Sequence, residues 1–273
     1  TSAKLKNGKQ IFAKSFILAT GGKSHPETGS TGDGFKWLAK LDHTITSPTA
    51  SLVPIKTREP WVKKLSGVTL QNIKISLWQN GVRQTKPKLG KILFTHFGVS
   101  GPTILNLSQA VGELLKYGEV IISLDLLPHF NHGALDTALQ KLLTEHHNKM
   151  IKNSLGKLIM PSLVPTVLAL TKINPEIFCH SLTRETRITL GKLLKALPIR
   201  VSGLLGEDKA IVTSGGVKLD EINFKTMSSR LISNLHLVGD LLNLNRPSGG
   251  YSLQLCWTTG YVAGNSVPVQ ISN

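Results

Sequence analysis

Phe16-Ile17-Leu18-Ala19-Thr20-Gly21-Gly22 is the stretch on which the fold turns. An apolar strand runs straight into two glycines, which let a backbone come close to a ligand and adopt conformations closed to other residues. A plain tight turn is the competing reading. The continuation Thr28-Gly29-Ser30-Thr31-Gly32-Asp33-Gly34 leads into an amphipathic pattern over residues 34–41. Small residues and hydroxyls at a helix start present N–H groups suited to an anionic or hydroxyl-rich ligand. Asp33 has a helix-capping alternative. Upstream, the extended run over residues 10–19 follows Asn7-Gly8, a hairpin signal that predicts pairing with residues 1–6.

A second α/β piece lies near the end of the chain. Ala210-Ile211-Val212-Thr213 precedes Ser214-Gly215-Gly216-Val217, and Leu235-His236-Leu237-Val238 ends at Gly239-Asp240. A carboxylate at the tip of a buried strand suits ligand hydroxyls such as the ribityl chain of a flavin; a loop-capping Asp is the alternative. Ser248-Gly249-Gly250-Tyr251-Ser252-Leu253-Gln254 then opens a helix, directing free N–H groups and a positive dipole end outward. For a flavin that end would favour the reduced anion, whereas close packing alone would also account for the glycines.

Between these pieces the pattern changes. Short strand-like runs at residues 51–55, 68–78 (before Asn80-Gly81), 91–95 and 119–124 predict a small antiparallel sheet or barrel. Pro102 opens a helix. Helical periodicity over residues 131–197, broken by prolines, predicts about three helices. The expected organisation is therefore a first α/β piece at 1–47, a strand-rich domain at 48–125, a helical part with its return at 126–209, and a second α/β piece at 210–273.

Composition narrows the function. No apolar run is long enough for a membrane span, and residues 1–10 lack a signal-peptide pattern. Cys179 and Cys256 lie far apart without metal-ligand spacing, so no metal is expected and a reducing cytoplasm is the plain reading. The formal net charge of +16 raises the question of polyanions. Scattered lysines and only 5% aromatics make a solvated basic surface the favoured reading over a nucleic-acid face.

The motifs together resemble those of bacterial NAD(P)/FAD-dependent oxidoreductases of the aminoacetone-oxidase-type and bile-acid-dehydroxylation-related flavoproteins. The blocks above recur in the order of that family. They are joined by Asp42-His43-Thr44-Ile45, Ser51-Leu52-Val53-Pro54, Lys91-Ile92-Leu93-Phe94-Thr95-His96-Phe97-Gly98-Val99-Ser100-Gly101-Pro102 and Thr259-Gly260-Tyr261-Val262-Ala263-Gly264. The resemblance implies an α/β fold: a partial three-layer Rossmann-like FAD-binding domain, interrupted by an inserted barrel or antiparallel sheet with a helical subdomain that covers the flavin. It implies FAD as cofactor, NAD(P)H as candidate electron donor, and a small-molecule substrate. Cofactor binding would fall on Thr20, Gly21, Gly22, Thr31, Gly32, Asp33, Gly34, Gly239, Asp240 and Ser248 to Gln254.

Departures from the family accompany the likeness. The G-x-G-x-x-G fingerprint is absent, so the chain reads as a C-terminal portion. The loop Asn243-Leu244-Asn245-Arg246-Pro247-Ser248 carries no acid, and Ser252 stands where Asn is usual. The likeness to fumarate reductase and succinate dehydrogenase flavoproteins is more distant, and where those carry a histidine in the stretch after the helix this chain reads Ser51-Leu52-Val53-Pro54. No catalytic acid or base stands out; His96 is a candidate proton donor with a backbone-bonding structural role as the alternative. A basic nucleic-acid-binding relic and an inactive fragment are the rival readings.

Overall fold

The computed structural model describes residues 2–206, 210 and 212–267, and the chain divides into two compact units, Thr1–Val53 with Leu205–Asn273, and Pro54–Leu204. The first unit opens with β1 (Ser2–Lys4), β2 (Gln10–Phe12), β3 (Phe16–Leu18), α1 (Asp33–Ala39) and β4 (Ile45–Ser51). The second contains β5 (Ile55–Thr57), α2 (Pro60–Lys64), β6 (Thr69–Gln79), β7 (Val82–Arg83), β8 (Lys88–Thr95), β9 (Gly98–Ser100), α3 (Pro102–Leu115) and β10 (Ile121–Asp125). It continues through α4 (His132–Glu145), α5 (Ile151–Ser154), α6 (Val164–Leu170), α7 (Arg184–Lys195) and β11 (Leu197–Leu204). The chain then returns to the first unit with β12 (Val212–Val217), β13 (Ile222–Asn223), β14 (Ser228–Ser229), β15 (Leu235–Leu237) and α8 (Tyr251–Ser266).

The second unit is a closed barrel carrying helices. Its strands run in the order β10-β11-β5-β9-β8-β6, and β6 pairs back to β10, every contact antiparallel. Closure matters because an open edge leaves a row of unpaired N–H and C=O groups. Bulges between Leu70 and Ile73 and between Val201 and Gly203 supply local bending. Ile73, Ile75, Leu77, Ile92 and Phe94 point inward and meet Ile104, Leu107 and Val111 of α3 in one core. Side-chain oxygens start two of the flanking helices: Asn131 accepts from the Ala134 N–H and Thr183 from the Thr186 N–H. Lys195 at the end of α7 ties them to the barrel, donating to Asp125, to the Leu127 carbonyl and to the Phe130 carbonyl.

β11 is the element that the periodicity hid. Leu197, Ile199 and Val201 are buried on alternate positions with exposed residues between them, a period of two. Pro198 reads as a helix breaker in sequence, yet here it lies in a strand opposite Ser123. Four helices, two of them short, stand where about three were expected.

In the first unit, β3 pairs with β15 in parallel, Phe16 opposite Leu235 and Leu18 opposite Leu237. β14 and β13 extend that sheet, while β12 pairs antiparallel with β4 and β1 with β2. The core is small: Phe35 and Leu38 of α1 meet Val217, Leu237, Val238, Leu241 and Ala263. A buried polar chain reinforces it. His43 donates or accepts at both ring nitrogens, to Glu221 at 2.9 Å and to the Ser229 hydroxyl at 3.0 Å. Ser229 Oγ already accepts the Leu231 and Ile232 N–H groups, so its own proton goes to His43 Nε2 and the Nδ1 proton goes to Glu221. The order serine, histidine, carboxylate is that of a hydrolase triad, but Ser229 and His43 are buried and the set works as a lock. Among the described residues, no helix is long and apolar enough to cross a membrane.

Burial raises the Glu221 carboxyl, but hydrogen bonds from Thr44 and His43 outweigh it and hold the group below its ordinary value. A depressed carboxyl stabilises the fold above its unfolded-state value, and that contribution disappears as pH falls through the folded value. We expect Glu221→Gln to cost about 1.5–3 kcal/mol at neutral pH. Urea unfolding across the acid range should show a shallower loss of stability for the variant than for the wild type.

Candidate functional site

Parallel pairing sends the carboxyl ends of β3 and β15 to the same edge of the sheet. There Ala19, Gly21 and Gly22 face Val238, Gly239 and Asp240 across a cleft of about 450 Å³. Ligands of α/β sheets characteristically bind at this edge. Ser252, Leu253, Cys256 and Gly260 of α8 and Ser24, His25, Thr28 and Ser30 of the glycine-rich loop complete most of the lining.

At Gly22 and Gly34 nothing larger fits. A Cβ on Gly22 would lie 2.3 Å from Thr213 Oγ1 and 3.4 Å from the Asp240 Cβ. A Cβ on Gly34 would lie 2.2 Å from Thr20 Oγ1 and 2.8 Å from Leu241 Cδ2. Thr213 also accepts the Lys23 N–H at 2.6 Å and meets Ser24 Oγ at 3.2 Å, so β12 fixes the loop leaving β3. Thr259 of α8 accepts the Gly239 N–H at 3.0 Å and fixes the end of β15 in the same way.

Asp240 is the charged group of the cleft. Arg246, itself largely buried, pairs with it and also donates to Ser252 Oγ at 2.9 Å and to the Leu244 carbonyl at 2.8 Å. The one charge of the loop before α8 is thus committed to Asp240 and to the helix start. Burial pushes the Asp240 carboxyl up against the opposing pull of Arg246. Burial and the neighbouring carboxylate likewise push the Cys256 thiol up, which keeps it protonated at neutral pH. Thr20 Oγ1 is buried and makes no hydrogen bond among the described residues, an unmet polar group beside the cleft.

The structure sorts the sequence-derived residues. Gly21, Gly22, Gly239, Asp240, Ser252 and Leu253 line the cleft. Thr20 and Gly34 touch each other next to it. Thr31 and Asp33 turn to the outside, where Asp33 accepts from Thr31 and Lys36. Gly32, not Asp33, is the N-cap of α1. Gly250 caps α8 and its carbonyl accepts the Gln254 N–H; Gly249 and Tyr251 are exposed, and the Gln254 amide binds Thr258. Ser248 belongs to the same loop, outside the lining. Sequence reasoning missed Thr213 as a packing partner, Cys256, and the Arg246–Asp240 pair. The last was readable as a lone cation six residues beyond a strand-tip acid. His96 is exposed in the β8–β9 turn, edge-on to Phe97. Among the described residues, no cluster of His, Cys, Asp or Glu could hold a metal ion.

Gly22→Ala is expected to cost about 1–3 kcal/mol, because Thr213, the close neighbour of the added methyl, is held in β12. Differential scanning calorimetry of the purified protein should show the loss, and a Gly203→Ala control, where nothing lies within 4 Å of the added Cβ, should not share it.

Comparison with known proteins agrees with this architecture. The chain is 28% identical over 261 residues to the 3-dehydro-bile acid delta(4,6)-reductase of Clostridium scindens, covering 95% of this chain and 63% of that protein. It is 27% identical over 264 residues to the ribosomal RNA dihydrouridine synthase of Escherichia coli, covering 96% of this chain and 62% of that protein. The enzyme of the same name from Haemophilus influenzae is 28% identical over 266 residues, with 97% of this chain and 63% of that protein covered. The chain therefore spans somewhat less than two thirds of these relatives. Residues 49–212, which contain the closed barrel and its helices, match the HI0933-like protein barrel and H2TH domain. That match takes in more than half of the chain, which accordingly belongs to the HI0933-like family.

Proposed function

We propose that the complete protein is a flavin-dependent reductase of carbon–carbon double bonds conjugated to a carbonyl, with an RNA base as its substrate. The observation that carries the flavin reading is the cleft at the carboxyl ends of β3 and β15, walled in part by Gly22, where no Cβ fits, and flanked by the Thr20 hydroxyl, which is unpartnered among the described residues. These residues suit part of a dinucleotide cofactor in a Rossmann-like frame, and FAD is the form that the family resemblance favours. When bound, the flavin would supply hydride transfer, with NAD(P)H as the source of reducing equivalents.

The chain's own residues hold and orient. Gly21 and Gly22 let the backbone approach the ligand, and Thr20 offers a donor and acceptor with no competing partner among the described residues. Asp240 keeps an oxygen for ligand hydroxyls while Arg246 occupies the other and fixes its position. α8, capped by Gly250, brings the positive end of a 16-residue helix to the same loop, where it would stabilise negative charge. Cys256, held as the thiol, is no nucleophile at neutral pH.

The reaction class follows from the relatives. Both names denote addition of two hydrogens across a double bond conjugated to a carbonyl, in a steroid nucleus or in a uracil ring. The net charge of +16 favours the polyanionic substrate over the steroid.

Protein expressed from its complete gene should purify yellow, lose its visible flavin absorbance on addition of NADH or NADPH, and recover it on addition of a uridine-containing ribosomal RNA fragment. A colourless, folded protein that FAD does not reconstitute contradicts the flavin reading. Reoxidation by a conjugated steroid ketone, with none by RNA, keeps the reductase and overturns its substrate.

A further inference from the structure

The positive charge is not spread evenly. Residues 54–204 hold twenty Lys and Arg against eight Asp and Glu, a net +12 of the total +16. Every acid of this unit except Glu185 is ion-paired. The uncompensated cations are what a partner meets, and five of them gather on one stretch of the barrel wall.

That stretch is β6, the Asn80-Gly81 turn, β7 and the start of β8. Register places Lys74 opposite Leu89 and Trp78 opposite Arg83. Alternation points Ile73, Ile75, Leu77, Ile92 and Phe94 into the core, so Lys74, Trp78, Arg83, Leu89 and Lys91 share the outer face. Lys86 and Lys88 lie exposed in the segment that joins β7 to β8 and at the start of β8. None of the five cations has an ion pair among the described residues. At about 3.4 Å per residue, the line from Lys91 through Lys74 to Arg83 runs about 20 Å, enough for several backbone phosphates. Asp125, which pairs in register with Lys74, is already neutralised by Lys195. Leu89, 63% exposed, and half-buried Trp78 place apolar surface between the cations.

Lysines on sheet edges commonly serve to block edge-to-edge aggregation. That explanation fails for Lys74, which sits inside the closed barrel with Leu89 of β8 on one side and Asp125 of β10 on the other. An acidic peptide would need few of these contacts, whereas a regular array of cations with apolar surface between them fits a sugar–phosphate backbone.

We propose that the outer face of β6, β7 and β8 docks structured RNA through its phosphates. The inference deepens the reading of RNA as substrate, and its test is independent of the flavin.

The experiment uses the complete protein and a fluorescein-labelled ribosomal RNA hairpin, followed by anisotropy over a salt series. Arg83→Glu/Lys86→Glu/Lys91→Glu should weaken binding at least ~10-fold near physiological salt and lower the slope of log K against log salt by about 2–3. A control reversal of exposed Lys149, Lys157 and Lys172 on the helical part should bind within about twofold of wild type. If the reversal unfolds the protein, judged by circular dichroism, the Gln triple at the same positions should give the same order of effect, smaller in size. Wild-type affinity and slope in the hairpin variants, or equal losses in hairpin and control variants, would overturn the proposal. So would an equal loss of binding to phosphatidylserine vesicles, which would make the face a general anion surface. Flavin content, read from the same preparations, should match wild type; protein that binds RNA through this face without flavin would sink the cofactor reading and leave the docking face standing.

Discussion

One short parallel pairing organises the first unit. Phe16, Ile17 and Leu18 lie beside Leu235, His236 and Leu237, residues more than two hundred positions away in sequence. Because the strands run the same way, the segments that leave them emerge together, and Gly22 arrives against Asp240 and Thr213. A parallel pair cannot be made by a hairpin; its crossover must be long. Here the crossover contains the whole of the second unit. The closed barrel, with its own core and no open edge in its main ring, is a stable way to fill that connection.

The two units solve burial differently. In the barrel, alternate residues on every main strand enter one core that also takes in α3 and the flanking helices. The first unit has a smaller core and relies on polar fastening: His43 between Glu221 and Ser229, Thr213 on the Lys23 N–H, and Thr259 on the Gly239 N–H. It also leaves Phe12, Trp257 and Tyr261 exposed. Hydrogen bonds of this kind specify geometry more than they add stability. That suits a region proposed to hold loops at ligand distance.

Local chemistry was legible in the sequence, and closure was not. Asn7-Gly8 and Asn80-Gly81 mark real hairpin turns, Pro102 opens α3, and Gly250 caps α8. Each of these depends on a few adjacent residues. The β6–β10 pairing that closes the barrel depends on register between distant strands, and β11 was masked by a proline that a strand can accommodate at this position. Within the site, Gly21, Gly22 and Asp240 announced themselves through their neighbours, whereas Thr213 and Cys256 came to the cleft only through the tertiary fold. The basic face escaped notice because Lys74 and Lys91 are far apart in sequence and adjacent only in the sheet.

The most direct test is a crystal structure of the complete protein grown with FAD. The reading predicts cofactor density in the cleft, within contact distance of Gly22 and Asp240 and with a hydrogen bond to Thr20 Oγ1. Density bound elsewhere, or an empty cleft in protein that carries stoichiometric flavin, would contradict it.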